Sequence, residues 1–164
     1  MCIGIFKNKW KSFEPTIEYL SVVNGLNSVT KLHQYSQKFK YIAEKKDYWK
    51  TPVEFYNDGG GDCEDWARWY VDILVRIIKI DGARFVIHSG YDKARWGNKK
   101  KCHAICVFPY QGKFGVFSNN QLYIGLSGYE GAGHITFPDG LKYQEIRSWE
   151  GKVLEKKYQW FRTF

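Results

Sequence analysis

The sequence lacks the features that mark membrane-spanning, exported and disulfide-stabilised proteins. No hydrophobic run approaches the roughly 20 residues that a transmembrane helix needs. No secretory signal is expected, because Lys7 and Lys11 interrupt the first apolar residues. The 4 cysteines, at positions 2, 63, 102 and 106, show no disulfide-framework spacing. We therefore expect free thiols in a reducing cytoplasm, a location that would also suit a phage-encoded factor acting inside a host cell.

Repeats, low-complexity tracts and Pro/Gly/Ser-rich linkers are also missing, which favours a single domain over residues 1–164. The composition excludes intrinsic disorder, since 44% of the residues are hydrophobic and 18% are aromatic. The formal net charge is +8, but the lysines are scattered in short groups outside any nucleic-acid-binding motif. The charge therefore predicts an ordinary solvated basic surface. Nucleic acid is a less favoured partner, and a membrane is not expected as one.

Helical signals dominate the first half of the chain and strand signals the second. Residues 16–46 are predicted to be largely helical, with Ser28 as a cap. The segment 51–54 has the pattern of a helix start, and the glycine-rich segment 57–61 must end that helix quickly. Strand-prone runs separated by turn residues follow at positions 85–88, 103–108 and 114–117. This order indicates an α+β protein, with helices packed on an antiparallel sheet.

The clearest predicted element is a helix that begins at Cys63 after an N-cap at Asp62 and ends at Gly82. A cysteine in the first turn of a helix is typical of a nucleophile, because the helix N-terminus favours the thiolate and its N–H groups can bind an oxyanion. Glycines allow a substrate backbone to approach closely, which makes Gly61 a candidate substrate-contact residue. The alternative interpretation of Cys63 is a small buried side chain on the face of a core helix.

His103 lies on a predicted strand and is the candidate base that accepts the thiol proton. The third residue, which orients its ring, should come from the return strand, where the hairpin register selects it. If Pro109 pairs across a three-residue loop, His103 faces Asn119, which is the pairing we expect. A two-residue loop would place Ser118 opposite the histidine, and a four-residue loop would place Asn120 there.

Two strings in the sequence are distinctive: YWKTPVEF at residues 48–55 and GGGDCEDWA at residues 59–67. His103 follows in a His-Ala-Ile context, 40 residues after the cysteine, and Asn119 lies 16 residues further on. These features resemble the bacterial transglutaminase-like cysteine proteinases, the family of the LapG-type proteases. The resemblance covers roughly residues 47–122.

The resemblance implies a papain/transglutaminase-like fold and a catalytic triad of Cys63, His103 and Asn119. An asparagine stands where the family usually has an aspartate, so it would orient the imidazole with less electrostatic stabilisation. The resemblance also implies calcium binding by Asp62 and Glu64, because family members use the carboxylates that flank the cysteine. Without the resemblance, both acids are explained as helix-capping residues, and no cofactor is required.

Two further sites are weighed against simpler explanations. Asn57 lies six residues before Cys63, the spacing at which papain-like enzymes place an oxyanion-hole amide, although a loop asparagine also serves turn geometry. Cys102, His103 and Cys106 resemble a zinc cluster in composition. Adjacent strand residues point to opposite faces of a sheet, which argues against joint ligation by Cys102 and His103.

We therefore expect a thiol hydrolase, a cysteine peptidase or amidase, that cleaves an amide or isopeptide bond of a protein or peptide through a thioester intermediate. A transglutaminase-type acyl transferase, in which an amine replaces water, is the alternative among enzymes. A non-catalytic module that binds protein or nucleic acid through its basic, aromatic surface is the alternative outside them.

Overall fold

The computed structural model describes residues 9–44 and 48–158 as a helical layer on one large sheet. The helices are α1 (Ile17–Val23), α2 (Val29–Ser36), α3 (Pro52–Asp58), α4 (Cys63–Arg76), α5 (Lys93–Trp96) and α6 (Tyr129–Thr136). The strands are β1 (Lys40–Tyr41), β2 (Gly60–Gly61), β3 (Arg84–Gly90), β4 (Lys101–Tyr110), β5 (Lys113–Ser118), β6 (Gln121–Leu126), β7 (Leu141–Arg147) and β8 (Val153–Tyr158).

Six strands form one antiparallel sheet in the order β6-β5-β4-β3-β7-β8. The other two strands, β1 and β2, form a short parallel pair in which Lys40 lies beside Gly60 and Tyr41 beside Gly61. Helices on an antiparallel sheet confirm the predicted α+β class. The small parallel pair anchors the glycine-rich loop directly before Cys63.

The N-terminal helices are shorter than predicted. The Ser28 hydroxyl accepts the Lys31 N–H at 3.2 Å, which confirms the predicted cap of α2. The chain then leaves the helical conformation, so the prediction of largely helical structure for 16–46 is wrong for residues 37–44. The physical reason is tertiary: Phe39 packs among the aromatic rings of α3 and α4, and the next residues pair with β2.

A local signal sets the start of α3 as predicted. Thr51 Oγ1 accepts the Glu54 N–H at 3.2 Å, and Glu54 Oε2 accepts the Thr51 N–H at 2.7 Å, a complete capping box. Gly59, with φ of 73°, ends the helix in the left-handed conformation that glycine adopts without strain.

Helix α4 begins at Cys63, as predicted, but ends at Arg76 instead of reaching Gly82. The N–H groups of Ile78 and Ile80 bond back to carbonyls near the helix end, which turns the chain early towards β3. Gly82 instead lies against the ring of Pro109 in β4, where an added Cβ would clash with it.

Aromatic side chains fill the space between α4 and the sheet. Trp66, Trp69 and Tyr70 are fully or almost fully buried. The ring of Tyr70 stacks on Phe117 of β5, with ring centroids 4.0 Å apart and planes 6° from parallel. A smaller apolar cluster on the other sheet face includes Ala132 of α6. The sheet therefore holds the N-terminus of α4 against the middle strands.

The second half of the chain contains more regular structure than the sequence predicted. The three predicted runs are confirmed as β3, β4 and β5, whereas β6, β7, β8 and α6 were not predicted. In the part of the chain that the structure describes, no helix has both the length and the apolar character needed to cross a bilayer.

Candidate active site

One cavity of about 410 Å³ collects most of the predicted catalytic residues. Its wall comes from β1 and the residue before it, the first turn of α4, α5, the start of β4 and the β5–β6 turn. The lining residues are Phe39, Tyr41, Cys63, Trp66, Arg95, Trp96, Cys102, His103, Asn119 and Asn120. Three chain segments remote in sequence thus bring a thiol, an imidazole and two amides to one space.

Cys63 occupies the first helical position of α4, directly after the glycine pair and Asp62. Its thiol donates to Glu64 Oε2 at 3.2 Å, and its sulfur also accepts from the backbone N–H of Ala104. Burial raises the pKa of the Cys63 thiol well above its ordinary value, and the Glu64 carboxylate adds to the effect. The expectation that the helix N-terminus favours the thiolate is therefore wrong for this free state, in which the thiol keeps its proton.

His103, near the start of β4, is the imidazole of this cavity. Its Nε2 lies 2.7 Å from the Ser118 hydroxyl, which leaves Nδ1 as the nitrogen for a proton from elsewhere. Burial, followed by the nearby His88 and Arg95, lowers the pKa of His103 to about 4. The ring is therefore neutral at physiological pH and able to accept a proton.

The hairpin register differs from the expected one. Tyr110 pairs with Lys113, so the turn contains two residues, Gln111 and Gly112, and the predicted three-residue loop after Pro109 is wrong. Both turn residues have positive φ (51° and 75°), as the two-residue turns favoured in hairpins require. Because the strand runs one residue past the proline, the whole return strand shifts by one position.

Ser118, and not Asn119, makes the hydrogen bond to His103. The register does not match the two-residue alternative, which kept Pro109 paired. Ser118 follows Phe117, the partner of Cys106, and it reaches His103 diagonally rather than from the directly opposite position.

Asn119 turns the chain with φ of 49°; it lines the cavity, and its Oδ1 has no hydrogen-bond partner among the described residues. The backbone carbonyl of Asn120 accepts from Gln37 Nε2 at 2.9 Å, and its side-chain Oδ1 accepts from Gln121 Nε2 at 3.2 Å.

Two predicted substrate-contact residues do not line this cavity. Asn57 is exposed at the end of α3 and lines a different depression of about 400 Å³ with Lys38 and Tyr56, so the structure does not support its oxyanion-hole role. Gly61 is buried in β2, where an added Cβ would collide with the Asp65 carboxylate. The missing side chain thus makes room for Asp65 and not for a substrate.

Acidic residues cluster behind the cysteine. Carboxylate oxygens of Glu44, Asp62 and Asp65 lie within 4.8 Å of one another, whereas Glu64 instead contacts the Cys63 thiol. Burial, followed by the neighbouring carboxylates, raises the pKa of Asp62 to about 8 and that of Asp65 to about 7. The cluster therefore retains protons near neutral pH when no cation neutralises it.

The cluster of three carboxylates fits a hard cation such as calcium better than the predicted pair of Asp62 and Glu64. Asp62 Oδ1 is buried and has no hydrogen-bond partner among the described residues, and three carboxylates supply the oxygen ligands that calcium prefers. Lys50 provides positive charge at one side, since its ammonium lies 3.2 Å from Glu44 and 3.1 Å from Asp58. Of the two predicted ligands, Asp62 belongs to this cluster and Glu64 does not. Glu44 was not predicted, because no local motif links it to Cys63.

The zinc alternative is not supported in the described parts of the chain, where the carboxylate cluster is the one grouping of metal-ligating side chains. Sequence reasoning also did not assign Arg95 and Trp96 to the site. The sequence offered no local signal for either residue, and the lysines at 99–101, just before His103, do not line the cavity.

Comparison with known proteins gives one kind of match. Neither protein-family models nor curated proteins match the sequence. Among solved structures, EGTA-treated Legionella pneumophila LapG is similar over 77% of this chain and 71% of its own, with 21% identity and a TM-score of 0.52. The chain has the LapG fold.

Two further LapG structures are similar over a shorter range. Calcium-bound LapG has 24% identity and a TM-score of 0.48, and this chain spans 62% of its length. A second LapG structure has 23% identity over the same 62%. The EGTA-treated structure confirms, at the level of the fold, the resemblance to the LapG-type proteinases that the sequence indicated.

Proposed function

We propose that this protein is a thiol hydrolase that cleaves an amide bond of a protein or peptide substrate. The observation that carries the proposal is the single cavity lined by Cys63 at a helix N-terminus and by His103 on the adjoining strand. The LapG-like fold supports it, since LapG is a cysteine protease. A cavity of about 410 Å³ is large enough to take a side chain and part of its backbone.

Because the Cys63 thiol and the His103 imidazole are both neutral before substrate binds, the proposed reaction begins with proton transfer between them. His103 Nδ1 takes the thiol proton as the Cys63 sulfur attacks the carbonyl carbon, and the backbone N–H of Cys63 stabilises the oxyanion. The imidazolium then gives its proton to the leaving amine as the C–N bond breaks, which leaves a thioester. Water, deprotonated by His103, then attacks the thioester carbonyl. The C–S bond breaks, the acyl group leaves as a carboxylic acid, and the imidazolium returns the proton to the Cys63 sulfur.

Ser118 is proposed as the positioning residue for the imidazole, in place of the expected Asn119. If Nε2–H donates to the Ser118 oxygen, the tautomer is fixed with Nδ1 free to act as the base. A hydroxyl orients the ring without the charge of a carboxylate, so the imidazolium is stabilised less than in an aspartate triad.

Glu44, Asp62 and Asp65 are proposed as the carboxylate ligands of a calcium ion. A divalent cation there would neutralise carboxylates that otherwise repel one another, and it would connect the segment after β1 to the first turn of α4. The proposed reaction uses no step through the metal.

Digestion of a complex peptide mixture, read by mass spectrometry, tests the function. Wild-type protein should produce new peptide termini, and Cys63→Ser or His103→Ala should lower their rate of appearance by about 10³-fold or more. Cys102→Ser is the matched control, since it changes a thiol in the same cavity that has no role in the mechanism.

Two outcomes would overturn the proposal. Equal cleavage by the Cys63→Ser variant would assign any activity to a contaminant. If a fluorescent primary amine added to the digest is incorporated in place of hydrolysis, the transglutaminase alternative replaces the peptidase.

A further inference from the structure

Of the described residues that line the active-site cavity, Arg95 alone has a permanently charged side chain. The other lining groups are aromatic rings, thiols, amides and the His103 imidazole. Arg95 is exposed to solvent at the edge of the cavity, and a single cation there favours a substrate group of opposite charge.

The position of Arg95 is defined by its surroundings. Its backbone N–H donates to Asp92 Oδ1 at 3.0 Å, which caps α5. The next residue, Trp96, packs against Phe137 with ring centroids 5.9 Å apart, so α5 is fastened to the region between α6 and β7. The guanidinium carbon lies 4.9 Å from the Trp96 ring centroid. Stacking of this kind holds the plane of the guanidinium while its N–H edges stay available.

Arg95 also differs from the other arginines in the described part of the chain. Arg76 and Arg147 pair with carboxylates, and Arg68 and Arg84 donate to backbone carbonyls. Among the described residues, the Arg95 guanidinium makes no hydrogen bond or ion pair. Its donors are therefore free for a ligand, and a carboxylate matches their fork geometry with two parallel hydrogen bonds.

We infer that the substrate carries a carboxylate close to the amide bond that is cleaved, and that Arg95 binds it. The inference rests on the proposed function and names its substrate class. An aspartate or glutamate side chain and a free C-terminal carboxylate share this chemistry. Either would lie in the same cavity as the Cys63 sulfur.

The electrostatics around the histidine are consistent with this assignment. The Arg95 cation is close enough to contribute to the lowered pKa of His103, so a carboxylate bound to Arg95 would remove part of that effect. The acids beside the cysteine oppose an anionic substrate only weakly. Neither Asp62 nor Glu64 lines the cavity.

Alkylation of Cys63 by two small reagents tests the inference without a known substrate. Iodoacetate carries a carboxylate and iodoacetamide a neutral amide at the same position. The alkylation rates are followed by peptide mass spectrometry at about 0.15 M salt. The rate with iodoacetate divided by the rate with iodoacetamide should be larger at Cys63 than at the thiol of glutathione. Arg95→Gln should lower it about tenfold, and Arg95→Lys should retain part of it.

Lys93→Gln is the matched control, since it removes an exposed cation of the same helix that does not line the cavity. An unchanged ratio in Arg95→Gln, or an equal fall in Lys93→Gln, would overturn the inference. The alkylation assay needs no peptidase activity, so it separates failure of the carboxylate site from failure of the proposed function.

Peptide digestion then distinguishes the two sources of the carboxylate. Cleavage next to internal aspartate or glutamate, lost in Arg95→Gln, assigns a side-chain carboxylate. Cleavage confined to peptides with a free C-terminus, and lost when that end is amidated, assigns a terminal one. If wild type cleaves neutral amidated peptides as fast as carboxylate-bearing ones, or if Arg95→Gln cleaves the carboxylate-bearing peptides at the wild-type rate, both assignments are contradicted.

Discussion

The thiol and the imidazole of this site are both neutral in the free protein, for the same physical reason. Burial disfavours the charged form of each group, so the pKa of Cys63 rises and the pKa of His103 falls. A preformed thiolate–imidazolium pair is therefore not the resting state. In the proposed reaction, proton transfer therefore accompanies attack on the substrate, so the orientation of His103 by Ser118 matters for the rate.

Replacement of Ser118 tests this orientation directly. Ser118→Ala should lower kcat for peptide cleavage by about 10- to 100-fold with little change in KM, because the imidazole loses one positioning hydrogen bond. Ser118→Thr should restore most of the rate, since it keeps the hydroxyl. Asn119→Ala is the comparison in the same turn, and a larger loss there than in Ser118→Ala would return the third position to Asn119.

The elements around Cys63 are held by short contacts between segments distant in sequence. The β1–β2 pair brings residues 40–44 beside the glycine loop, and Asp65 of α4 accepts the backbone N–H groups of Lys50 and Asp62 at 2.7 and 3.2 Å. Glu44 joins the same cluster. The first turn of α4 therefore depends on carboxylates that are mutually repulsive once they ionise.

Calcium should stabilise this arrangement. Addition of millimolar calcium to EGTA-treated protein should raise Tm by a few degrees, roughly the effect of 1–2 kcal/mol for a domain of this size. Asp62→Asn should abolish the shift, because it removes the ligand whose oxygen lacks a partner. Asp81→Asn, at an exposed loop position, should leave the shift intact. A Tm that is identical in calcium and in EGTA would remove the metal from the proposal.

The fold as a whole places a second histidine beside His103, the proposed base. His88 of β3 pairs directly with His103 of β4, and it is fully buried between Thr136 at 2.8 Å and Gln144 at 3.0 Å. Burial lowers the pKa of His88 to about 4. The antiparallel sheet thus joins the active-site strand to a polar core that α6 and β7 complete.

The stability of the protein should fall on acidification because of this core. The folded state keeps His88 neutral down to a pKa of about 4, whereas the unfolded chain takes up the proton near pH 6.5, so stability is lost as pH falls through that window. The contribution of His88 between pH 7 and pH 4 is about 3 kcal/mol. In urea denaturation, His88→Gln should show a correspondingly shallower pH dependence of the free energy of unfolding.

An exposed histidine provides the control for that measurement. His134→Gln should keep the wild-type pH dependence, since His134 lies on the surface of α6. If His88→Gln and wild type lose stability in parallel, buried neutral His88 is not the source of the acid sensitivity.

Much of the fold was predictable because its signals are local. The capping box at Thr51, the left-handed glycine at Gly59 and the apolar stripe of α4 each depend on residues within a few positions of one another. The same signals located Cys63 in the first turn of a helix, and alternating apolar residues located the strand of His103. Helix and strand conformations are selected by such near neighbours.

The other residues of the site could not be predicted from local sequence signals. Ser118 meets the histidine because of two features that the sequence did not reveal: the register set by the turn at Gln111 and Gly112, and the turn at Asn119 directly after Ser118. Glu44 and Arg95 reach Cys63 through strand pairing and helix packing across the fold.

The candidate nucleophile, the candidate base and the α+β class were thus contained in the order of the residues, because short-range conformational preferences determine them. The proposed positioning residue, the acidic cluster and the arginine that has no partner among the described residues were selected by packing and pairing between distant segments. These interactions exist only when the chain has folded, since the contacts that bring such segments together form cooperatively.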